Sequence, residues 1–164
     1  MTSIADMPRI VLIGCGATLV MDIWLLFLKR LGVPTLNFAF IGRWVGHLLR
    51  GRIAHASIAR AAPVAHETRL GWLTHYAVGI AFAGLLVGVA GRAWLSAPSP
   101  GIALLTGIAT VVFPLLVMQP AMGLGFAASK TPTPLRNCLR SLVNHSIFGL
   151  GLFLSASGVA WISR

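Results

Sequence analysis

Four apolar stretches divide the chain, near residues 10–28, 70–90, 101–121 and 142–162. Each is long enough to cross a bilayer core as a helix, which takes roughly 20 mostly apolar residues. Between the first and second lies an arginine-rich segment of about forty residues that cannot span. Within it Ile41, Trp44, Val45, Leu48 and Leu49 recur at the spacing of one helical face, and Arg43, His47 and Arg50 recur on the other. That pattern predicts a short helix lying in the membrane interface, its apolar side in lipid and its guanidinium groups among phosphates. A sharper reading makes it a lid over a cavity or an arginine-lined entrance for an anionic molecule. Gly51 is predicted to end this helix, and a second helical piece is predicted over residues 53–61, stopped by Pro63. Pro114 is predicted to kink the third span, because it removes one backbone hydrogen bond. The expected fold is all-α: a polytopic membrane protein with four transmembrane helices, an interfacial amphipathic helix between the first and second, and a single domain over residues 1–164.

Composition supports lipid as the solvent. Hydrophobic residues make up 57% of the chain and charged ones only 10%, against about a quarter charged in soluble domains, and the mean hydropathy is +0.86. A net charge of +10 would point to nucleic acid in a soluble protein. Its distribution argues otherwise. Lys29, Arg30, Arg43, Arg50, Arg52, Arg60, Arg69, Lys130, Arg136 and Arg140 fall in or beside the loops after the first and third spans, whereas Arg9, Arg92 and Arg164 fall on the opposite side. Basic flanks collect on the cytoplasmic side, so the expectation is a bacterial inner membrane protein with both termini outside. Arg43, Arg50, Arg52 and Lys130 are expected to face lipid or an anion, anionic headgroups are the expected partner, and no nucleic acid is expected.

Two short motifs could mislead. MQPAMGLGFAASKTPTP, residues 118–134, resembles a phosphate-cradling loop, but Leu124 and Ser129 occupy the positions where that loop needs glycine. Lys130, Thr131, Pro132 and Pro134 read instead as the cytoplasmic exit of the third span. Leu12 to Cys15 resembles a lipoprotein cleavage box, but the apolar run between Arg9 and the cysteine is shorter than the roughly 7 to 15 residues of a signal core, so cleavage is not expected. Cys15 and Cys138 are placed on opposite faces and are not expected to pair.

The candidate chemistry lies in the polar residues of the spans. Asp22, one of only three acids, sits inside the first span. A carboxylate at that depth costs about 2.5 to 3.5 kcal/mol on insertion scales, so it marks a functional site by default. His75 and Tyr76 in the second span, Gln119 in the third, and Asn144 and His145 in the fourth all lie near the inner ends. Together with Asp22 they are predicted to form one inward-facing layer that binds a substrate or proton. The plainer account is that such pairs only tie helices together, at about 0.6 kcal/mol each. No two histidines lie three or four residues apart, and His47 and His55, eight apart, would sit roughly 12 Å from each other on a continuous helix. A metal or haem held across helices by His75 and His145 stays open, and the cofactor is unknown. Gly84 with Gly88, and Gly151 with Ser155, predict close helix packing within the chain or across a homodimer.

GATLVMDIW at 16–24, GRWVGH at 42–47, GWLTHY at 71–76, MQPAMGLGFAASKTP at 118–132 and NHSIFGLGLF at 144–153 resemble the bacterial membrane proteins grouped as domain of unknown function 2938. The resemblance extends over nearly the entire chain. It implies a small bacterial integral membrane protein without an established activity, and it carries over no catalytic or binding residue. Three functions follow from the residues. The leading one is a small carrier, or small-molecule-binding membrane protein, that exchanges a proton or cation at Asp22, with transport requiring a dimer. The second is a membrane redox enzyme with His-ligated haem or metal. The third is a non-catalytic subunit that docks a partner through its basic cytoplasmic loop.

Overall fold

A computed structural model describes residues 4–163; Arg164, expected on the outer side, lies outside the described residues. No strand occurs among the described residues. Five helices organise the chain: α1 (Met7–Arg30), α2 (Phe38–Leu48), α3 (Glu67–Ala90), α4 (Pro100–Ala121) and α5 (Pro134–Ile162). With the 3-10 turn that precedes it, α1 forms one of four helical segments long and apolar enough to cross a membrane; α3, α4 and α5 are the others. At most 28% of any span's most apolar window is buried within the protein. Large side chains such as Leu19, Ile23 and Phe27 of α1 are exposed, and an apolar surface of that kind calls for lipid or a partner.

Local chemistry explains the boundaries. Pro8 sits in the first turn of α1, where its missing N–H costs nothing, and Lys29 and Arg30 occupy the last turn, where cations suit the carbonyl end of the helix. The Asn37 side chain caps α2 by accepting from the Ala39 N–H at 3.0 Å. The kink expected at Pro114 takes the form of a π-helical turn, Phe113–Met118. The proline ring crowds the carbonyl one turn back, and the wider turn accommodates it. Helix α5 begins at Pro134, earlier than the expected 142, because proline's fixed φ favours the first helical position. The expected second helical piece shrinks to one 3-10 turn, Ile58–Arg60, preceded by extended Ser57.

The chain divides into two compact units. The bundle unit comprises residues 4–34, 76–110 and 143–163 of the described chain. Its core gathers Ile13 and Ala17 of α1, Leu86 and Val87 of α3, Ala103 of α4, and Phe148 and Leu152 of α5. Small residues set the spacing of its helices. A Cβ on Gly14 would lie 2.5 Å from Ile80 Cα, one on Gly107 would lie 2.6 Å from Gly149 Cα, and one on Gly151 would lie 2.8 Å from the Ala17 carbonyl. Gly151 therefore packs inside the chain, whereas Gly88 has open space around it. At one end the buried Asp6 carboxylate receives Arg92 Nε at 2.8 Å and Nη2 at 3.0 Å, tying the start of α1 to the turn after α3.

The loop unit comprises residues 35–75 and 111–142. In it α2 lies against the first turns of α3 so closely that a Cβ on Gly42 would collide with the Glu67 carbonyl, and one on Gly71 with the Phe38 carbonyl. Residues 53–62 are pinned to the end of α4 and the turn after it: the His55 N–H donates to the Ala121 carbonyl at 2.8 Å, and the Ile58 N–H to the Met122 carbonyl at 3.0 Å. Gly123 has φ +89, and any Cβ there would strike the Ala56 carbonyl. The glycines of the 118–134 segment therefore serve a tight turn and a close backbone contact.

Candidate functional site

In the bundle unit polar residues of the long apolar helices form hydrogen bonds between helices. The Tyr76 hydroxyl donates to Asp22 Oδ2 at 2.8 Å, joining α3 to α1, and both side chains are half-buried. Trp24 Nε1 donates to Asn144 Oδ1 at 3.0 Å, joining α1 to α5. Thr110 Oγ1 lies 2.6 Å from the Gly107 carbonyl and 2.9 Å from His145 Nδ1. A hydroxyl has one proton. With that proton on Gly107, Thr110 accepts from His145, which places the imidazole proton on Nδ1. Sequence reasoning missed Thr110; its position one turn before the π-helical segment is not marked by any spacing.

His75 and Gln119 belong to the loop unit. His75 packs in an aromatic group, its ring centre 4.6 Å from Phe38 and 5.9 Å from Trp72. Gln119 follows the π-helical turn; it is buried, and its Oε1 has no hydrogen-bond partner.

The inward face of α2 takes in Arg43 and His47 beside Ile41 of the apolar stripe. Gly42, Arg43, Gly46 and His47 turn inward, while Leu48 and Leu49 are exposed. Arg43, expected among headgroups, is only 9% exposed. Its Nε and Nη2 grip the two Glu67 oxygens at 2.8 and 2.7 Å, and Nη1 reaches the carbonyls of Ile58, Ala59 and Ala61 at 3.2 to 3.3 Å. Glu67 also accepts from the Val64 N–H at 3.1 Å. The physical reason for the burial of Arg43 is the close approach of Gly42 to Gly71, which brings α2 onto α3 and shields that face, so the charge requires a bidentate partner. The Glu67 hydrogen bond and charge raise the Arg43 pKa further. The signal was legible: a chain with only three acids has few counter-charges, and Glu67 opens the helix that α2 meets. Arg50, Arg52 and Lys130 are exposed.

His47 and His55 also depart from the expected spacing. Gly51, at φ +82, reverses the chain: the Arg52 N–H bonds the His47 carbonyl at 3.0 Å and the Gly51 N–H bonds the Leu48 carbonyl at 2.9 Å, a Schellman closure. The two imidazole rings come within 4.9 Å, edge to face. His47 Nε2 donates to the Ala62 carbonyl at 2.9 Å. His55 is 6% exposed, and neither of its ring nitrogens has a hydrogen-bond partner. Burial, then the charges of Arg52 and His47, lower the His55 pKa below the ordinary histidine range. Among the described residues no group of three or more His, Cys, Asp or Glu is arranged to hold a metal ion.

The four spans and the loop-pinned α2 are those of an all-helical chain compatible with a multi-pass membrane protein. The chain belongs to the family described as Protein of unknown function (DUF2938), whose model matches residues 11–159, so both units lie almost wholly inside the family domain. Comparison with curated proteins and with solved structures gave no match.

Proposed function

We propose that the protein is a small carrier of the bacterial inner membrane that exchanges a proton or small cation at Asp22. The observation that carries this reading is the Tyr76 hydroxyl on Asp22 Oδ2 at 2.8 Å within two apolar spans. A carboxylate is costly to keep there unless it works. The bond holds the carboxylate in one orientation, and the half-buried state of both partners gives an exchanging ion a way in and out. Asn144 and His145, of the same unit as Asp22, complete the polar layer in this proposal. In this reading exposed Arg50, Arg52 and Lys130 contact anionic headgroups, their loops lie in the cytoplasm and both termini lie outside, a reading supported by the excess of basic residues in those loops. Exposed Gly88 supplies a close-packing surface for a second copy.

The test is reconstitution of the full chain in liposomes that enclose a pH-sensitive dye, with an imposed pH gradient and a panel of small cations and metabolites outside. Substrate-dependent proton flux that disappears in Asp22→Asn, with the variant still folded, supports the carrier. Flux that is unchanged in Asp22→Asn sinks it.

A further inference from the structure

We infer that the first two turns of α5, with Lys130 beside them, hold one anionic phospholipid, its phosphate on Lys130, Arg136 and Arg140 and an acyl chain along Leu135 and Leu139. These residues all belong to the loop unit. The site goes beyond general headgroup contact by the basic loops, and it does not rest on exchange at Asp22. Depth comes first. Helix α5 has 29 residues, about 43 Å at the helical rise, against a hydrocarbon core of about 30 Å. Its apolar stretch is residues 142–162, so residues 134–141 stand at the headgroup level. One face of these turns is committed: Asn137 Nδ2 donates to Thr131 Oγ1 at 2.8 Å, and the Cys138 thiol to the Ala127 carbonyl at 3.1 Å. Those bonds hold the 126–131 loop, and with it exposed Lys130, against the start of α5. Another face is open. Leu135 is 73% exposed and Leu139 52%, Arg136 is exposed and Arg140 half-buried. Residues three and four apart are neighbours on a helix, so Arg136 and Arg140 form a row beside Leu135, Leu139 and Leu142, the last of which leads into the span.

Charge selects the occupant. No acid follows Glu67 in the chain, and Glu67, the one acid of the loop unit, is gripped by Arg43. Lys130, Arg136 and Arg140 therefore have no carboxylate within the unit to neutralise them, and the ligand must bring the negative charge. Arginine takes phosphate through parallel N–H donors. A free phosphate would satisfy the cations and leave Leu135 and Leu139 in contact with water, whereas an anionic phospholipid meets the guanidinium groups with its headgroup and covers the leucines with its chain.

The experiment strips lipid from the purified full chain in mild detergent, adds phosphatidylglycerol or phosphatidylcholine at equal concentration, and counts retained lipid by native mass spectrometry. One phosphatidylglycerol is expected, held in preference to phosphatidylcholine. Arg136→Gln with Arg140→Gln should weaken its binding about thirtyfold, and Leu135→Ser with Leu139→Ser should weaken it as well. Arg50→Gln with Arg52→Gln, which removes as much charge elsewhere in the unit, should leave it unchanged. Equal retention of the two lipids, displacement by inorganic phosphate at the lipid's concentration, or the same affinity in both arginine double variants would overturn the site; the last would mean that the unit attracts headgroups by diffuse charge only. Should the α5 variants fail to fold, a photoactivatable phosphatidylglycerol on the native chain decides instead: crosslinks within residues 130–142 support the site, and their absence there rejects it.

Discussion

The bundle unit and the loop unit solve the same problem, burying a helix against its neighbours, by different chemistry. In the bundle unit the contacts are backbone against backbone at Gly14, Gly107 and Gly151, with a core of aliphatic side chains, Trp94 and Phe148, and hydrogen bonds such as Trp24 to Asn144 and Tyr76 to Asp22 join the helices. In the loop unit a charged pair at the centre, Arg43 with Glu67, also organises three carbonyls of a segment that has little regular structure. Packing tolerates one missing methyl group. A buried ion pair does not tolerate the loss of one partner. The loop unit is therefore the place where a single substitution has the largest consequence.

The strongest way to break this contrast is Arg43→Ala, which strands the Glu67 carboxylate and removes the donor to Ile58, Ala59 and Ala61. A loss of about 3 to 5 kcal/mol is expected, read as a lowered midpoint of thermal unfolding in detergent. Glu67→Ala should cost a similar amount, and the double variant less than the sum of the two. Equal and additive losses would mean that the pair is not a unit.

Next in size are the glycine contacts. Gly107→Ala forces a Cβ onto Gly149, and overpacking of this kind costs about 1 to 3 kcal/mol. Within one chain Gly88→Ala meets nothing within 4 Å, and in a monomeric detergent preparation it should be neutral or slightly stabilising as a helix former. Reversal of that order in paired melting curves would contradict the packing described here.

Acidity probes the loop unit through His55. The fold lowers the His55 pKa, so the unfolded chain takes up that proton more readily. Stability contributed by neutral His55 is then complete above about pH 6.5 and is lost as pH falls below it, by at most about 1.4 kcal/mol per unit. Faster amide exchange over residues 53–62 at pH 5.5 than at pH 7.5, after correction for intrinsic rates, is the expected signature. The smallest loss is expected from Trp24→Phe, which removes one interhelical hydrogen bond to Asn144 and costs about 0.6 kcal/mol in the same melting experiment.

What the sequence made legible follows the same division. Apolar run length placed all four spans, because a span is a local property of composition. The register of α2 was harder. Its apolar stripe pointed to lipid on one side and arginine on the other, but Gly42 against Gly71 decides which face meets α3, and a glycine pair carries no hydrophobic signal. The His47 and His55 proximity was hidden for a related reason: spacing along a helix assumes that the helix continues, and Gly51 ends it by reversing the chain. Of the intramembrane residues, the acid was conspicuous by its cost, whereas the Thr110 partner of His145 is an ordinary residue in a helix and shows only in three dimensions.

The measurement that bears most directly on the central claim is proton flux through liposomes containing the native chain, Asp22→Asn or Tyr76→Phe, compared at equal protein and with folding checked by circular dichroism. The account predicts substrate-dependent flux in the native protein, none in Asp22→Asn, and a reduced rate in Tyr76→Phe, where the carboxylate remains but loses the phenol that orients it. Flux of equal rate in all three proteins would contradict it.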